Sequence, residues 1–145
     1  MSTSTSLLVI EDSREDVEVL YRAFKKLDFS HPVQTYETAD LAWMHLTSAT
    51  GNPAALPSLI LLDLNLPGMD GRAFLRRIKE HEELRPIPVV ILSTSMRDDD
   101  VEFCYRHGAA AYHTKMMDLP GQIENIRRLL LYWFDTALLP RATAA

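Results

Sequence analysis

Carboxylates stand at the ends of two apolar runs in this sequence, where a binding site is expected if the runs are strands. The run 7–11, LLVIE, ends in Glu11 and is followed directly by Asp12. The run 58–63, SLILLD, ends in Asp63, and a turn-forming segment with one proline and two glycines follows it. In an open parallel sheet, ligands bind beyond the carboxyl ends of the strands. The sequence therefore predicts that three acidic side chains converge at one sheet edge.

Two further apolar runs would bring residues that can contact a phosphoryl group to the same edge. Ser93 ends the run 87–93, IPVVILS, and Lys115 follows the run 110–114, AAYHT. Clustered carboxylates stay ionised together only if a cation compensates their repulsion, and oxygen ligands without His or Cys favour Mg²⁺. Asp63 would then act as a nucleophile that forms an aspartyl-phosphate, while Ser93 and Lys115 contact the phosphoryl oxygens.

The elements that must position these residues alternate between strand and helix. Five strands are predicted, at 7–11, 33–37, 58–63, 87–93 and 110–114. Helices are predicted at 13–28, 38–46, 70–81, roughly 98–107 and from near Pro120 onward. This alternation favours an α/β fold, a flavodoxin-like doubly wound parallel sheet with the strand order 2-1-3-4-5 and five helices.

Local signals mark the start of several of these helices. Ser13, Thr38 and Asp70 are each the first residue of a predicted helical segment and are residue types that cap helix N-termini. The segment 47–57, TSATGNPAALP, has the composition of a loop and is longer than most connections between a helix and a strand.

Composition and charge favour one soluble domain. The chain has 145 residues, of which 47% are hydrophobic and 24% charged, and a net charge of −5 with scattered basic residues. We expect no nucleic-acid partner, because a basic patch is missing, and no membrane partner, because no apolar run approaches the ~18 residues of a membrane span. Cys104 is the one cysteine, which excludes an intrachain disulfide and favours a packing role. We expect a cytoplasmic protein.

Four segments together resemble the signatures of two-component response-regulator receiver domains. They are VIEDS, LLDLNLPGMDG, VVILSTS and AAYHTK, in the family's order. The spacing also agrees, with 30 positions from Asp63 to Ser93 and 22 from Ser93 to Lys115. Four motifs in order at family spacing are far more specific than any one of them alone.

The resemblance implies a role for each matching residue. Asp63 matches the phosphoacceptor, and Asp12 and Asp63 match direct metal ligands. The remaining positions are Glu11, an acid that acts through metal-bound water; Asn65, which lends its backbone carbonyl to the metal; Ser93 and Tyr112, the switch pair; and Lys115, the phosphate-binding lysine. In the family, the hydroxyl of the switch pair moves to the phosphoryl group and the aromatic ring turns inward behind it.

The implied function is that of a response regulator. It would accept a phosphoryl group from a histidine kinase with Mg²⁺ and switch a protein-interaction surface, with no enzyme activity beyond its own phosphorylation and dephosphorylation. The chain resembles stand-alone receivers that partner phytochrome-type histidine kinases. We expect no output domain after the receiver, so the signal would pass to an unknown downstream protein by contact or phosphorelay.

The sequence departs from the family pattern at two positions. Glu11 replaces the more usual Asp, and Met116 follows Lys115 where receivers typically have Pro in a cis bond. A cis bond before a residue other than Pro would cost about 2.5–4 kcal/mol. This departure keeps an alternative function open, a phosphorylation-independent interaction module of receiver fold.

Two other functional classes fit the sequence less well. A haloacid-dehalogenase-type phosphatase needs a general acid two positions after its nucleophile, where this chain has Asn65. A flavodoxin would place a phosphate-binding loop after the first strand, where EDSRED would repel phosphate.

The end of the chain is richer in apolar residues than one helix face requires. In QIENIRRLLLYWFDTALLP, a helix expected from Gln122 to Leu138, a core-facing stripe is formed by Ile123, Ile126, Leu130 and Trp133. Surplus apolar residues remain at Leu129, Leu131, Tyr132, Phe134, Leu138 and Leu139. They predict a homodimer through the last helix and tail, or else a lid folded back over the domain. We accordingly divide the chain into a disordered N-terminus at 1–6, the receiver domain at 7–131, and an extension and tail at 132–145.

Overall fold

The computed structural model describes residues 5–140, which form five strands and five α-helices in strict alternation. The elements are β1 Leu7–Ile10, α1 Arg14–Lys26, β2 Val33–Tyr36, α2 Ala39–Ala49, β3 Leu59–Leu62, α3 Gly71–Glu80, β4 Val89–Ser93, α4 Asp98–Arg106, β5 Ala111–Thr114 and α5 Leu119–Leu131. A short 3₁₀ helix, Pro53–Ala55, lies between α2 and β3, and a π-helical turn, Tyr132–Thr136, continues α5.

The five strands form one parallel sheet in the order β2-β1-β3-β4-β5, which confirms the predicted topology. Ile10 pairs with Leu62, and Ser93 pairs with Thr114. The carboxyl ends of β1 and β3 are therefore level with each other, as are those of β4 and β5. The residues that follow these strands emerge at a common edge.

Helices cover both faces of the sheet. On one face, side chains of β1, β3 and β4 pack with α2, α3 and α4 around the fully buried Phe74. On the other face, the alternate side chains of the same strands pack with α1 and α5, including Leu20 and Ile126. Because both faces are covered, β1, β3 and β4 are buried along their whole length.

Two of the three predicted helix caps form as expected. The hydroxyls of Ser13 and Thr38 accept hydrogen bonds from the backbone N–H groups of Asp16 and Leu41. Asp70 occupies the predicted N-cap position of α3, but its side chain makes no capping hydrogen bond. The Asp70 carboxylate accepts from Arg72 instead, because the guanidinium lies 3.0 Å away.

The C-terminal segment, residues 122–140, differs from its prediction in two respects. The helical backbone ends at Thr136 and not at Leu138. Leu129 and Leu139, which the periodicity predicts to be surplus, are buried in the core shared with α1. Leu129 is buried because α5 packs against α1 on that side, and Leu139 is buried because the chain after Thr136 lies against the same core, in part as the predicted lid.

Of the segment 1–6, which is predicted to be disordered, the structure describes the last two residues, and both make hydrogen bonds. The Thr5 hydroxyl lies 2.8 Å from the ring of His31, and the Ser6 N–H donates to the Ser58 hydroxyl. The rest of that segment, 1–4, and the end of the predicted tail, 141–145, lie outside the described residues. Cys104 is buried as predicted. Within the described part of the chain, no helix combines the length and apolar character that a membrane span requires.

Candidate functional site

The register of β1 and β3 places two buried carboxylates side by side. Glu11 and Asp63 follow the paired residues Ile10 and Leu62, and the Asp63 N–H donates to the Ile10 carbonyl at 3.2 Å. Their exposed fractions are 5% and 8%, while Asp12 is exposed. One carboxylate oxygen from each of the three acids lies within 4.8 Å of the others. The predicted convergence of the three acids is observed.

Lys115 is held at this edge by the pairing of β4 with β5. Its backbone N–H donates to the Ser93 carbonyl at 2.8 Å. Its ammonium nitrogen lies 2.6 Å from Glu11, 2.7 Å from Asp16 and 3.2 Å from Asp63. The described chain contains no cis peptide bond, so Lys115 reaches the site although the following residue is Met116.

Asp16 is the member of the site that sequence reasoning missed. Its backbone N–H donates to the Ser13 hydroxyl, which places the carboxylate in the first turn of α1. That turn directly follows Glu11 and Asp12, so its proximity to the sheet edge could have been inferred from the predicted cap. Its contact with Lys115, 99 positions away, could not.

Burial and charge act in opposite directions on the Glu11–Lys115 pair. Burial raises the pKa of Glu11 to about 7, and the hydrogen bond from Lys115 only partly offsets it. Burial by itself would lower the pKa of Lys115, but hydrogen bonds to Asp16 and Glu11 raise it above its ordinary value. Lys115 is therefore the fixed positive charge of the site, and a further cation would favour the ionised form of Glu11.

The turn after β3 brings Gly71, the first residue of α3, close to the backbone of Asp63. Gly68 adopts a φ of +72°, which favours glycine, and the following N–H of Met69 donates to the Asp40 carboxylate. A Cβ atom on Gly71 would lie 2.3 Å from the Asp63 carbonyl oxygen. The absence of a side chain at Gly71 therefore allows the close approach that sets the position of Asp63.

Asn65 lies in this same turn, exposed and two residues after Asp63. Its backbone carbonyl takes part in no backbone hydrogen bond within residues 5–140. The role of this carbonyl in metal binding stays a prediction.

The predicted switch residues, Ser93 and Tyr112, are joined through Ser95. Ser93 is fully buried, and its hydroxyl accepts from the Ser95 N–H at 3.2 Å. The half-buried Tyr112 donates its hydroxyl to the Ser95 carbonyl at 2.8 Å. Burial raises the pKa of the Tyr112 phenol, so it is a neutral donor. The two residues are neighbours in one hydrogen-bonded network.

The donor set of the acidic cluster fits a hard divalent cation. The ligands offered by Glu11, Asp12 and Asp63 are all oxygen atoms, the type that Mg²⁺ and Mn²⁺ prefer. Asp12 is exposed, so the cluster is open to solvent on one side. The arrangement combines a cluster of three carboxylates that could hold a metal ion with an ammonium group that contacts two of them, Glu11 and Asp63.

Comparison with known sequences points to one family. The family model described as the response regulator receiver domain matches residues 7–127. The probable methanogenesis regulatory protein FilR2 of Methanothrix harundinacea is 35% identical over 130 residues, which cover 88% of this chain and 84% of FilR2. The response regulator Rcp1 of Synechocystis sp. is 34% identical over 138 residues, which cover 94% of this chain and 93% of Rcp1.

Solved structures agree with this assignment. The phosphorylated cyanobacterial phytochrome response regulator RcpA superimposes with a TM-score of 0.87 at 34% identity, covering 94% of this chain and 99% of RcpA. The Mn²⁺-bound form of Rcp1 gives a TM-score of 0.86 at 33% identity, with coverage of 94% and 99%. The similarity therefore extends over almost the whole of each chain.

Proposed function

This chain belongs to the response regulator receiver family, and on that basis we propose that it accepts a phosphoryl group from a histidine kinase on Asp63. The observation that carries the proposal is the position of Asp63 at the end of β3. Its carboxylate lies within 4.8 Å of two other acids and 3.2 Å from the Lys115 ammonium. A carboxylate in such surroundings can attack phosphorus while neighbouring positive charge stabilises the transferred oxygens.

Mg²⁺ is the proposed cofactor. Asp12 and Asp63 would bind it directly, Glu11 through water, and Asn65 through its backbone carbonyl. When bound, the ion would neutralise charge that develops on the phosphoryl oxygens. The Mn²⁺-bound form of Rcp1 supports a divalent cation in this fold.

The proposed chemical step is a transfer from a phosphohistidine. An oxygen of the Asp63 carboxylate attacks phosphorus, the new O–P bond forms as the P–N bond breaks, and the imidazole leaves with the bonding electrons and takes up a proton. Lys115 orients the phosphoryl oxygens, and the Ser93 hydroxyl donates to one of them. We propose no enzyme activity beyond this self-modification and its hydrolytic reversal.

The output we propose is a change of the protein-interaction surface formed around β4, α4 and β5. Ser93 would leave Ser95 for the phosphoryl group, and Tyr112 would turn further inward. The alternative, a phosphorylation-independent interaction module, is less well supported because Lys115 contacts Asp63 despite the departure at Met116.

For the partners, we propose a phytochrome-type histidine kinase as phosphoryl donor and a protein, not nucleic acid or a membrane, as downstream target. The similarity to RcpA, a cyanobacterial phytochrome response regulator, supports the first. The net charge of −5 supports the absence of a nucleic-acid partner. We further propose a cytoplasmic location and a homodimer through the C-terminal segment.

Treatment with acetyl phosphate and Mg²⁺ tests the proposed site. We expect intact-protein mass spectrometry to show one added phosphoryl group on the unsubstituted chain and none on Asp63→Asn, because the amide is a poor nucleophile. The variant should fold normally, since one of three crowded carboxylates loses its charge and the shape is kept. Phosphorylation of Asp63→Asn at the level of the unsubstituted chain would refute the assignment.

A second experiment tests the partner. Phosphotransfer from a panel of histidine kinases of the same cell, phytochrome-type kinases among them, should be fastest from a phytochrome-type member. Equal rates from all kinases would contradict that pairing and leave the phosphoacceptor assignment intact.

A further inference from the structure

The Asp16 carboxylate is a fourth acid at the site, and it differs from the other three because it contacts Lys115 without belonging to their cluster. Its oxygen lies 2.7 Å from the Lys115 ammonium. It is not part of the group of three carboxylates that come close enough together to share a metal ion. Its side chain is 40% exposed, whereas that of Lys115 is 9% exposed. Asp16 therefore interacts with the lysine and not with the candidate metal position.

The three contacts of Lys115 use the full donor capacity of its ammonium group. A lysine has three N–H donors and no acceptor, and Glu11, Asp16 and Asp63 each take one. The Asp63 contact, at 3.2 Å, is the longest of the three. If Lys115 is to bind phosphoryl oxygens, its donors must be redistributed from the carboxylates to the new anion. Asp16 opposes that redistribution, because its charge attracts the ammonium and repels the phosphoryl group.

We propose that Asp16 is a positioning residue that holds Lys115 in the unphosphorylated protein and competes with the phosphoryl group for it. The inference rests on the proposed function, in which Lys115 contacts the phosphoryl oxygens. The charge of Asp16, in the first turn of α1, would then lower the affinity of the site for an anion. The same negative charge favours a cation in the neighbouring carboxylate cluster.

Neutralising Asp16 should therefore strengthen the binding of a phosphoryl-like anion and weaken the binding of Mg²⁺. Exposed charge pairs contribute energies that correspond to about two- to five-fold changes in affinity. For Asp16→Asn we expect binding of beryllofluoride, a phosphoryl analogue, to be about two- to five-fold tighter at saturating Mg²⁺. Binding of Mg²⁺ alone should be weaker by a similar factor. A variant that only loosened the fold would weaken both.

The experiment uses the full chain and measures both dissociation constants, for Mg²⁺ by calorimetry and for beryllofluoride by NMR titration. Asp16→Glu keeps the charge and should behave like the unsubstituted protein. Glu15→Gln removes an exposed acid from the same turn and should alter neither constant as much as Asp16→Asn does. The Ser13 cap uses the backbone N–H of Asp16, so these variants retain it.

The outcomes separate this inference from the proposed function. Tighter beryllofluoride and weaker Mg²⁺ binding by Asp16→Asn alone would support it. Beryllofluoride binding that is unchanged or weaker in Asp16→Asn would overturn it. Tighter beryllofluoride binding together with weaker Mg²⁺ binding in Asp16→Glu or Glu15→Gln would also overturn it. If the unsubstituted chain bound no beryllofluoride in the presence of Mg²⁺, the proposed function would fail and this inference with it.

Discussion

At the scale of single residues, Ser95 connects both predicted switch residues to helix α4. Its N–H donates to the Ser93 hydroxyl, and its carbonyl accepts from the Tyr112 hydroxyl. Its own hydroxyl donates to the Asp100 carboxylate at 2.5 Å. A movement of Ser93 toward a phosphoryl group would therefore break a hydrogen bond in a network that already includes Tyr112. The network supplies a physical route from Ser93 to helix α4.

The variant Ser93→Ala tests this route. We expect it to accept a phosphoryl group or beryllofluoride, since Asp63 and Lys115 are intact, but to leave Tyr112 in its resting environment. The measurement is the change in the NMR signals of Tyr112 on addition of beryllofluoride and Mg²⁺. Thr94→Ala, an exposed neighbour, is the control and should respond like the unsubstituted chain. A full Tyr112 response in Ser93→Ala would contradict the mechanism.

At the scale of elements, one charged network joins the first turns of α3 and α4. The guanidinium of Arg72 contacts Asp70 at 3.0 Å and Asp100 at 2.6 Å. Hydrogen bonds from Ser95 and Arg72 hold the pKa of Asp100 below its ordinary value of 3.8. Because the Asp100 side chain is only 14% exposed, this pair is screened less than a typical surface pair. The network restrains the loop between β4 and α4 from the side of α3.

The pH dependence of stability tests the contribution of Asp100. A carboxyl group whose pKa is lowered by folding stabilises the protein above its unfolded pKa, and loses that effect as the pH falls through its folded value. We expect Asp100→Asn to lower the free energy of unfolding by about 1 kcal/mol at pH 7. The difference should shrink as the pH falls below 3.8.

Urea unfolding at a series of pH values gives this comparison. Asp99→Asn is the matched control, because Asp99 lies in the same turn and its ion pair with Arg97, at 3.9 Å, is almost fully exposed. The free energy of unfolding of Asp100→Asn could instead differ from that of the unsubstituted chain by the same amount at every pH. That result would show that the charge of Asp100 is not the cause of the difference.

At the scale of the whole molecule, the C-terminal segment divides into a buried and an exposed part. Leu129, Leu130 and Leu139 complete the core beneath α1 and α5, and Phe134 packs edge-on against Phe29 at 5.0 Å. Three apolar side chains of the segment remain in solvent, namely Leu131 at 37%, Tyr132 at 53% and Leu138 at 88% exposed. Removing the chain after Arg128 would therefore damage the core as well as any interface.

Substitution at an exposed position gives a cleaner test of the homodimer. We expect sedimentation equilibrium to show dimers of the unsubstituted chain and monomers of Leu138→Asp, because the new charge would be buried at the interface. Leu41→Asp is the control, since Leu41 is 51% exposed on α2, away from the C-terminal segment. A concentration-independent monomer for the unsubstituted chain, with and without beryllofluoride, would rule out the dimer.

The sequence alone was sufficient to predict the sheet, the order of its strands and the residues at its carboxyl edge. Predicted strands of five to seven residues that alternate with amphipathic helices leave few topologies. Because the carboxyl ends of parallel strands share one edge, Glu11, Asp63 and Lys115 could be placed together from the order of the strands. The helix caps at Ser13 and Thr38 could also be predicted, because a cap depends on residues within three positions of each other.

Only the tertiary structure decided which side chains meet across long separations. The contact of Asp16 with Lys115 joins residues 99 positions apart, and the contact of Arg72 with Asp100 joins residues 28 positions apart. The burial of Leu129 and Leu139 likewise depends on the rotation of α5 and on the turn that follows it. Helical periodicity defines the faces of a helix, but the rotation that presents one of them to a neighbour is set by the packing of the entire core.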